Sequence, residues 1–315
     1  MASTYHHRKT CRLCQASKLD LALPLTATPP ANAFVPCERL SDQQGVFPLN
    51  VYLCSDCGHA QLLDVVDPSV LFRDYVYVSG TSPVFVEHFK NYAENILASF
   101  NFGSNAFVVD IGSNDGTFLK FFKERGCRVL GIDPATNIAK QASADGIETW
   151  PDFFNAVLAE KIAAQCERAQ IITANNVFAH TDEMIGFTKG VQQLLAPEGV
   201  FAFEVSYLGD VIEKTLFDTI YHEHLAYHAV TPLQSFLRRH DLEIIDVHRV
   251  NSHGGSIRVI SQHVGGPHLK QPSVDAIIDE EKVVGLTSMA AFSKLAAQID
   301  KMKADLSKVL SEIKS

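Results

Sequence analysis

The stretch Phe107-Val-Val-Asp110-Ile-Gly112-Ser-Asn114-Asp115-Gly116-Thr-Phe118-Leu119 reads as a buried strand, a glycine-bearing turn and a helix that starts at once. Gly112 and Gly116 have no side chain in the way and reach positive φ without penalty, so this turn can bring backbone close to a ligand. The strand ends in an acid and no G-K-[ST] follows, so the loop is no triphosphate cradle. Residues 128–132 form a second strand closing on Asp133, 23 positions after Asp110. That is where a nucleoside-binding βαβ unit carries its ribose-binding carboxylate. Together the two acids and the glycine turn imply an adenosine-containing cofactor.

The pattern D-x-G-x-N-x-G resembles the first motif of class I S-adenosylmethionine methyltransferases. Working outward, strands are expected at 148–150, 169–174 and 200–205, alternating with helices, which is the signature of a parallel sheet covered on both faces. Ser82 and Pro83 are an N-cap and a first-turn proline for a helix running to about residue 100. Thr231-Pro232-Leu233-Gln234 reads as a capping box for a helix to about residue 240. Residues 242–250 and 256–262 read as two strands joined by Asn251-Ser-His253-Gly254-Gly255. Such a closing antiparallel pair is what the class I methyltransferase sheet has, so the fold class is α/β, with a doubly wound, mostly parallel seven-stranded sheet. From 286 to 313, Phe292, Leu295, Ile299, Met302, Leu306, Val309 and Ile313 share one helical stripe, read as a helix packed on the domain in preference to a coiled-coil dimer. The oligomeric state stays open on that basis, with a monomer favoured.

The formal net charge of −9 makes the chain a poor holder of a phosphate backbone, which argues against nucleic-acid substrates. No apolar stretch approaches the roughly 20 residues of a membrane span, and the first residues lack a signal-peptide core, so a cytoplasmic protein with no membrane partner is expected. In a reducing compartment the seven cysteines would not be disulfides. Cys11 with Cys14, and Cys54 with Cys57, form two C-x2-C pairs, each able to present two thiolates on one turn and together a tetrahedral S4 site suited to Zn2+. Cys37, Cys127 and Cys166 read as ordinary buried or half-buried thiols. Residues 21–32 read as an extended loop between the knuckles and 47–53 as a strand, so a zinc-stapled domain over 1–74 precedes a methyltransferase domain over 75–265 and a helical segment over 266–315.

Just past the fifth strand lies Phe217-Asp218-Thr219-Ile220-Tyr221-His222-Glu223-His224. Open α/β sheets bind ligands outside the carboxyl ends of their strands, so this loop should lie over the cofactor. Tyr221, Glu223 and two imidazoles concentrate proton-transfer groups there. His222 is read as structural, because alternation turns it away from His224. An H-x-H metal pair is disfavoured because no third ligand lies at helical spacing. Asn175-Asn176-Val-Phe-Ala-His180 follows the fourth strand and should face the same cleft, and His253 is a weaker candidate to line it.

The paired knuckles, D-I-G-S-N-D-G, N-N-V-F-A-H, F-D-T-I-Y-H-E-H and H-G-G-S-I-R together resemble the sugar C-methyltransferases that act on nucleotide-linked 4-keto-deoxysugars. That resemblance implies a zinc-binding N-terminal domain, a methyltransferase domain and a C-terminal Rossmann-like domain that helps hold the nucleotide sugar. Ser315 falls about where that third domain is expected to begin. The resemblance implies a cofactor set of Asp110, Gly112, Asn114, Gly116, Asp133, Pro134, Asn175 and Asn176. It also implies His224 as base, Tyr221 and His180 as donors to the enolate, Glu223 as a group that orients an imidazole or binds a sugar hydroxyl, and Tyr77 as a lining of the acceptor pocket. The rivals are an O- or N-methyltransferase of another small metabolite and a non-catalytic cofactor-binding remnant.

Overall fold

A computed structural model describes residues 5–72 and 78–314. Seven strands form the central sheet in the order Leu242–Val250, Ser256–His263, Leu195–Ser206, Ala169–Asn175, Phe107–Ile111, Arg128–Ile132 and Thr149–Trp150. Ser256–His263 runs antiparallel to both its neighbours, and the other described pairings are parallel. This is the class I methyltransferase sheet. Phe107–Ile111 is buried along its whole length, as a strand covered on both faces must be. From it the chain first builds outward through 128–132 and 149–150, then crosses to 169–175 on the opposite side. A crevice opens above that reversal of strand order.

Helix Pro83–Phe100 begins as its residues dictate: the Ser82 hydroxyl accepts from the Phe85 N–H and Pro83 fills the first turn. Its Phe89, Tyr92 and Ile96 pack with Phe118, Phe122 and Ile171 on one face of the sheet. The other face carries the larger core, which includes Ile162, Phe187, Val191, Phe201 and Phe236.

Four expected elements differ. The strand expected at 47–53 begins only at Val51, because Pro48 has no N–H to donate and Phe47 makes a lone bridge to Thr28. Leu19–Leu23, which overlaps the start of the expected loop, pairs antiparallel with Val51–Cys54. Thr231 does not cap its helix, which starts at Val230. Instead the Glu281 carboxylate accepts from the Val230 and Thr231 N–H groups and the Thr231 hydroxyl, at 2.6, 2.8 and 2.6 Å. Glu281 lies on Pro272–Val283, a helix separate from Met289–Lys314. On the latter only Phe292 and Leu295 are buried, while Met302, Leu306, Val309 and Ile313 are exposed, so the stripe packs on the domain over its first turns alone. Cys37 and Cys166 are exposed, and Cys127 is buried as expected.

The sheet of the N-terminal domain is completed from outside it. It runs Ala226–Tyr227, Ala60–Leu62, Val51–Cys54, Leu19–Leu23 and is antiparallel, so one edge strand comes from a distant part of the chain. Tyr227 pairs with Ala60 and Ala226 with Gln61, so the strand begins two residues beyond His224. No described helix is long and apolar enough to cross a membrane.

Candidate active site

A cavity of about 800 Å3 occupies the crevice above the sheet. Asp110, Gly112, Asn114, Asp133, Pro134, Asn175, Asn176, His180, Tyr221 and His224 all line it, so the segments after four strands converge there. Four lining residues other than glycine, Asn32, Asn114, Asn176 and His253, hold left-handed backbone, with φ of 60°, 50°, 55° and 49°. Such conformations persist where the surroundings over-determine them, commonly around ligands.

Asp110 is buried and its carboxyl accepts from the Thr173 hydroxyl at 2.6 Å. Burial pushes it up to about 7, against the pull of that hydroxyl and with a further push from Asp133. Asp133 sits 7% exposed, its two oxygens accepting from the Asn114 and Ala135 N–H groups at 2.9 and 2.8 Å. Its carboxyl is also raised by burial, opposed by those two donors. Gly112 is required by its φ of +72° and because a Cβ there would come within 2.2 Å of Val177. Gly116 does not line the cavity. Its φ is +74° and an added Cβ would meet Ile147 at 2.9 Å, so the turn and its packing alone require a glycine here.

The other side of the cavity centres on His224. Its Nδ1 lies 2.8 Å from the Thr219 carbonyl oxygen, which can only accept, so Nδ1 carries the proton and Nε2 offers a lone pair. That lone pair accepts from the Tyr221 phenol at 2.9 Å. Burial holds the imidazole down to about 4, although the Thr219 carbonyl favours the protonated ring. Burial pushes the Tyr221 phenol up, and Glu223 adds to that. His180 stacks between the rings of Phe72 and His224, at 5.7 and 5.0 Å. Burial, followed by His224 and His253, holds it well below the ordinary histidine range. The His180 Nε2 and both polar atoms of the Asn175 amide are buried with no partner among the described residues. These orphaned groups, with two buried acids, suit a ligand that carries both donors and acceptors.

Glu223 is buried beside the cavity without lining it, and accepts from the Asn32 amide at 3.3 Å. The Thr219 carbonyl, rather than Glu223, orients the His224 ring. His222 is buried and bonds the Phe47 carbonyl oxygen at 3.2 Å. Tyr77 lies outside the described residues. Asp152 and Phe153 line the cavity just past the strand Thr149–Trp150, and the rule that ligands sit beyond strand carboxyl ends would have flagged them. Asn32, Asp67, Phe72 and Asp182 also line it, and no local signal marks them.

Away from the cavity, the sulfurs of Cys11, Cys14, Cys54 and Cys57 all lie within 4.8 Å of one another, with Cys11 to Cys57 at 3.6 Å and Cys14 to Cys54 at 3.5 Å. A tetrahedron with Zn–S bonds of about 2.3 Å has S···S edges of about 3.8 Å, so this donor set fits one zinc ion. Among the described residues this is the one cluster of three or more such ligands, and the cavity imidazoles do not form another.

Fold and site define a methyltransferase, and the chain belongs to the C-methyltransferase family. Family models match in order along it: a zinc binding domain over 11–72, a methyltransferase domain over 85–247, and a C-methyltransferase C-terminal domain over 251–315. The last match begins at Asn251, so the final strand and both terminal helices fall within the third domain's model, where the sequence had placed its start near Ser315. The chain is 32% identical over 296 residues to the C-methyltransferase NovU of Streptomyces niveus, covering 94% of this chain and 70% of that protein. It is also 30% identical over 95 residues to a ubiquinone biosynthesis O-methyltransferase of Methylobacterium sp. (strain 4-46), covering 30% of this chain and 38% of that one. A solved S-adenosylmethionine-dependent methyltransferase from Clostridium acetobutylicum ATCC 824 aligns at TM-score 0.46 and 12% identity, over 58% of this chain and 92% of its own.

Proposed function

We propose that this protein methylates a carbon atom next to the ketone of a nucleotide-linked keto-deoxysugar, using S-adenosylmethionine, with zinc held by Cys11, Cys14, Cys54 and Cys57. The observation that carries this reading is the chain Thr219 carbonyl, His224, Tyr221, which presents an unprotonated imidazole nitrogen and a phenol side by side in the cavity. Methylating a carbon needs a carbanion equivalent, and methylating oxygen does not. A ketone supplies one when a base removes the neighbouring proton and a donor meets the oxygen that takes up the charge.

Both groups come from one exchange of hydrogen bonds. The Tyr221 O–H, which bonds Nε2 in this structure, would turn to the acceptor carbonyl and free the lone pair to take the proton. The C–H electron pair moves into the new C=C bond, the carbonyl π pair moves onto oxygen, and Nδ1–H···O=C to Thr219 steadies the imidazolium. His180, with its unpartnered Nε2, is a second donor to that oxygen. Bound S-adenosylmethionine supplies an electrophilic methyl on a sulfonium that departs as a neutral thioether. Asp110 and Asp133 would hold the cofactor through its cationic end and its ribose hydroxyls, and the Asn175 amide would bond one of its polar edges. Holding donor and acceptor carbons in contact contributes much of the rate. The relationship to NovU supports a C-methyl product, and the nucleotide sugar is inferred from the shape of that chemistry and the family resemblance.

The test is to incubate the protein with S-adenosylmethionine and a panel of nucleoside-diphosphate-linked keto-deoxyhexoses. A mass gain of one methyl group, with a carbon-bound methyl in the 13C spectrum, is expected. An oxygen-bound methyl, or no product from any keto sugar while the cofactor binds, would overturn the reading.

A further inference from the structure

Between two of the knuckle cysteines sits Arg12, whose side chain is 0% exposed. Its guanidinium donates to the Gln61 side-chain oxygen at 3.1 Å and to the Leu62 carbonyl, and reaches the Asp182 carboxylate at 2.9 Å. Arg8 donates to the same Asp182 oxygen and to the Asp182 carbonyl, each at 3.1 Å. Two arginines flanking the first zinc turn thus grip one oxygen of a residue that lines the acceptor cavity two positions after His180. The other oxygen meets only the exposed imidazole of His6 at 3.3 Å among the contacts of the described residues.

A buried ion pair is a poor way to hold two segments together, since apolar side chains of the same size do so at equal or lower cost in desolvation. It is a good way to fix a carboxylate in one orientation at a cavity wall. We propose that Asp182 accepts a hydrogen bond from a hydroxyl of the acceptor, and that Arg12 is its positioning residue, so that the zinc knuckle sets part of the acceptor site. This rests on the sugar reading above and extends it. The same sheet holds the other wall as well: Leu62 N–H donates to the Leu225 carbonyl at 3.0 Å, directly after His224. One side of the knuckle sheet therefore aims the carboxylate and the other carries the base.

The experiment compares Asp182→Asn and Arg12→Met with wild type in the full chain. Zinc content, S-adenosylhomocysteine affinity, and KM and kcat for a nucleoside-diphosphate-linked 4-keto-6-deoxyhexose are measured. KM should rise about tenfold or more, as for a lost hydrogen bond to a charged group. kcat, zinc and cofactor affinity should stay within about threefold. An analogue lacking the bound hydroxyl should show the same KM in wild type and in Asp182→Asn. If Arg12→Met does not fold, Arg8→Met replaces it. An unchanged KM, or cofactor affinity that falls in step with it, overturns the proposal. If wild type turns over no keto sugar, the sugar reading fails and the hydroxyl assignment with it. Hydrogen exchange then decides the positioning claim: faster exchange in Arg12→Met confined to residues 177–183 supports it, and unchanged exchange there refutes it.

Discussion

The two halves of the cavity are built in opposite ways. The cofactor half comes from consecutive stretches at the ends of neighbouring strands, 110–114, 132–134 and 152–155, each shaped by its own turn. The acceptor half is assembled from segments far apart in the chain: Asn32, Asp67 and Phe72 from the knuckle domain, His180 and Asp182, Tyr221 and His224, and His253. It is held by a sheet whose edge strand, Ala226–Tyr227, crosses from one domain to the other. A local site can be altered one residue at a time, whereas an assembled one answers to whatever holds its pieces. The zinc cluster should therefore matter to the acceptor half and little to the cofactor half.

Removing the metal is the harshest test of that division. Structural zinc supplies on the order of 10 kcal/mol of folding free energy to small metal domains, so Cys54→Ser with Cys57→Ser should unfold the knuckle sheet. Turnover should vanish with it. Cofactor affinity, measured by calorimetry, should change by less than about fivefold, and a cofactor half that fails as well would erase the distinction. Next in size, His224→Ala should cut turnover by roughly 10² to 10⁴, the usual contribution of a positioned base, with cofactor affinity kept. Because burial holds His224 down to about 4 from 6.5, the ring is neutral and able to accept above that value. The acid limb of kcat/KM should thus fall near pH 4, with full activity between pH 5 and 6.5 where a solvated histidine would already be protonated. A limb near 6.5 would mean the base sits elsewhere.

The cofactor half yields smaller effects. Asp133→Ala should weaken S-adenosylmethionine about ten- to a hundredfold, as for charge-assisted hydrogen bonds to a ribose, while acceptor KM is unaffected. The smallest effect is a proton. Asp110 is raised to about 7 by burial, so a sizeable fraction of it should be protonated at pH 7 before a ligand binds. A cationic ligand favours its charged form, so binding should release a fraction of a proton at that pH. Calorimetry in buffers of different ionisation heat reads this directly, and Asp110→Asn should abolish it.

The same contrast explains what was legible in the residues. The placement of Asp110, Gly112 and Asp133 at the cavity could be read because turn chemistry and strand spacing are local properties, and Ser82 with Pro83 announced a helix for the same reason. Gly116 lies outside the cavity lining, and a glycine demanded by packing on Ile147 looks identical in sequence to one demanded by a ligand. Thr231 looked like a cap, and the group that does the capping is Glu281, 50 residues away. Leu19–Leu23 becomes a strand only through its partner at Val51–Cys54, and nothing near Asp182 shows that two arginines from the first knuckle reach it. Contacts between distant segments leave little local trace.

The central claim is that His224 takes a proton from carbon. It is tested most directly by holding the protein with S-adenosylhomocysteine and a nucleotide-linked keto sugar in deuterium oxide and following the proton next to the ketone by NMR. The account expects that proton to exchange in wild type, to exchange at background rate in His224→Ala, and to exchange more slowly in Tyr221→Phe. Exchange that persists at the wild-type rate in His224→Ala would contradict it.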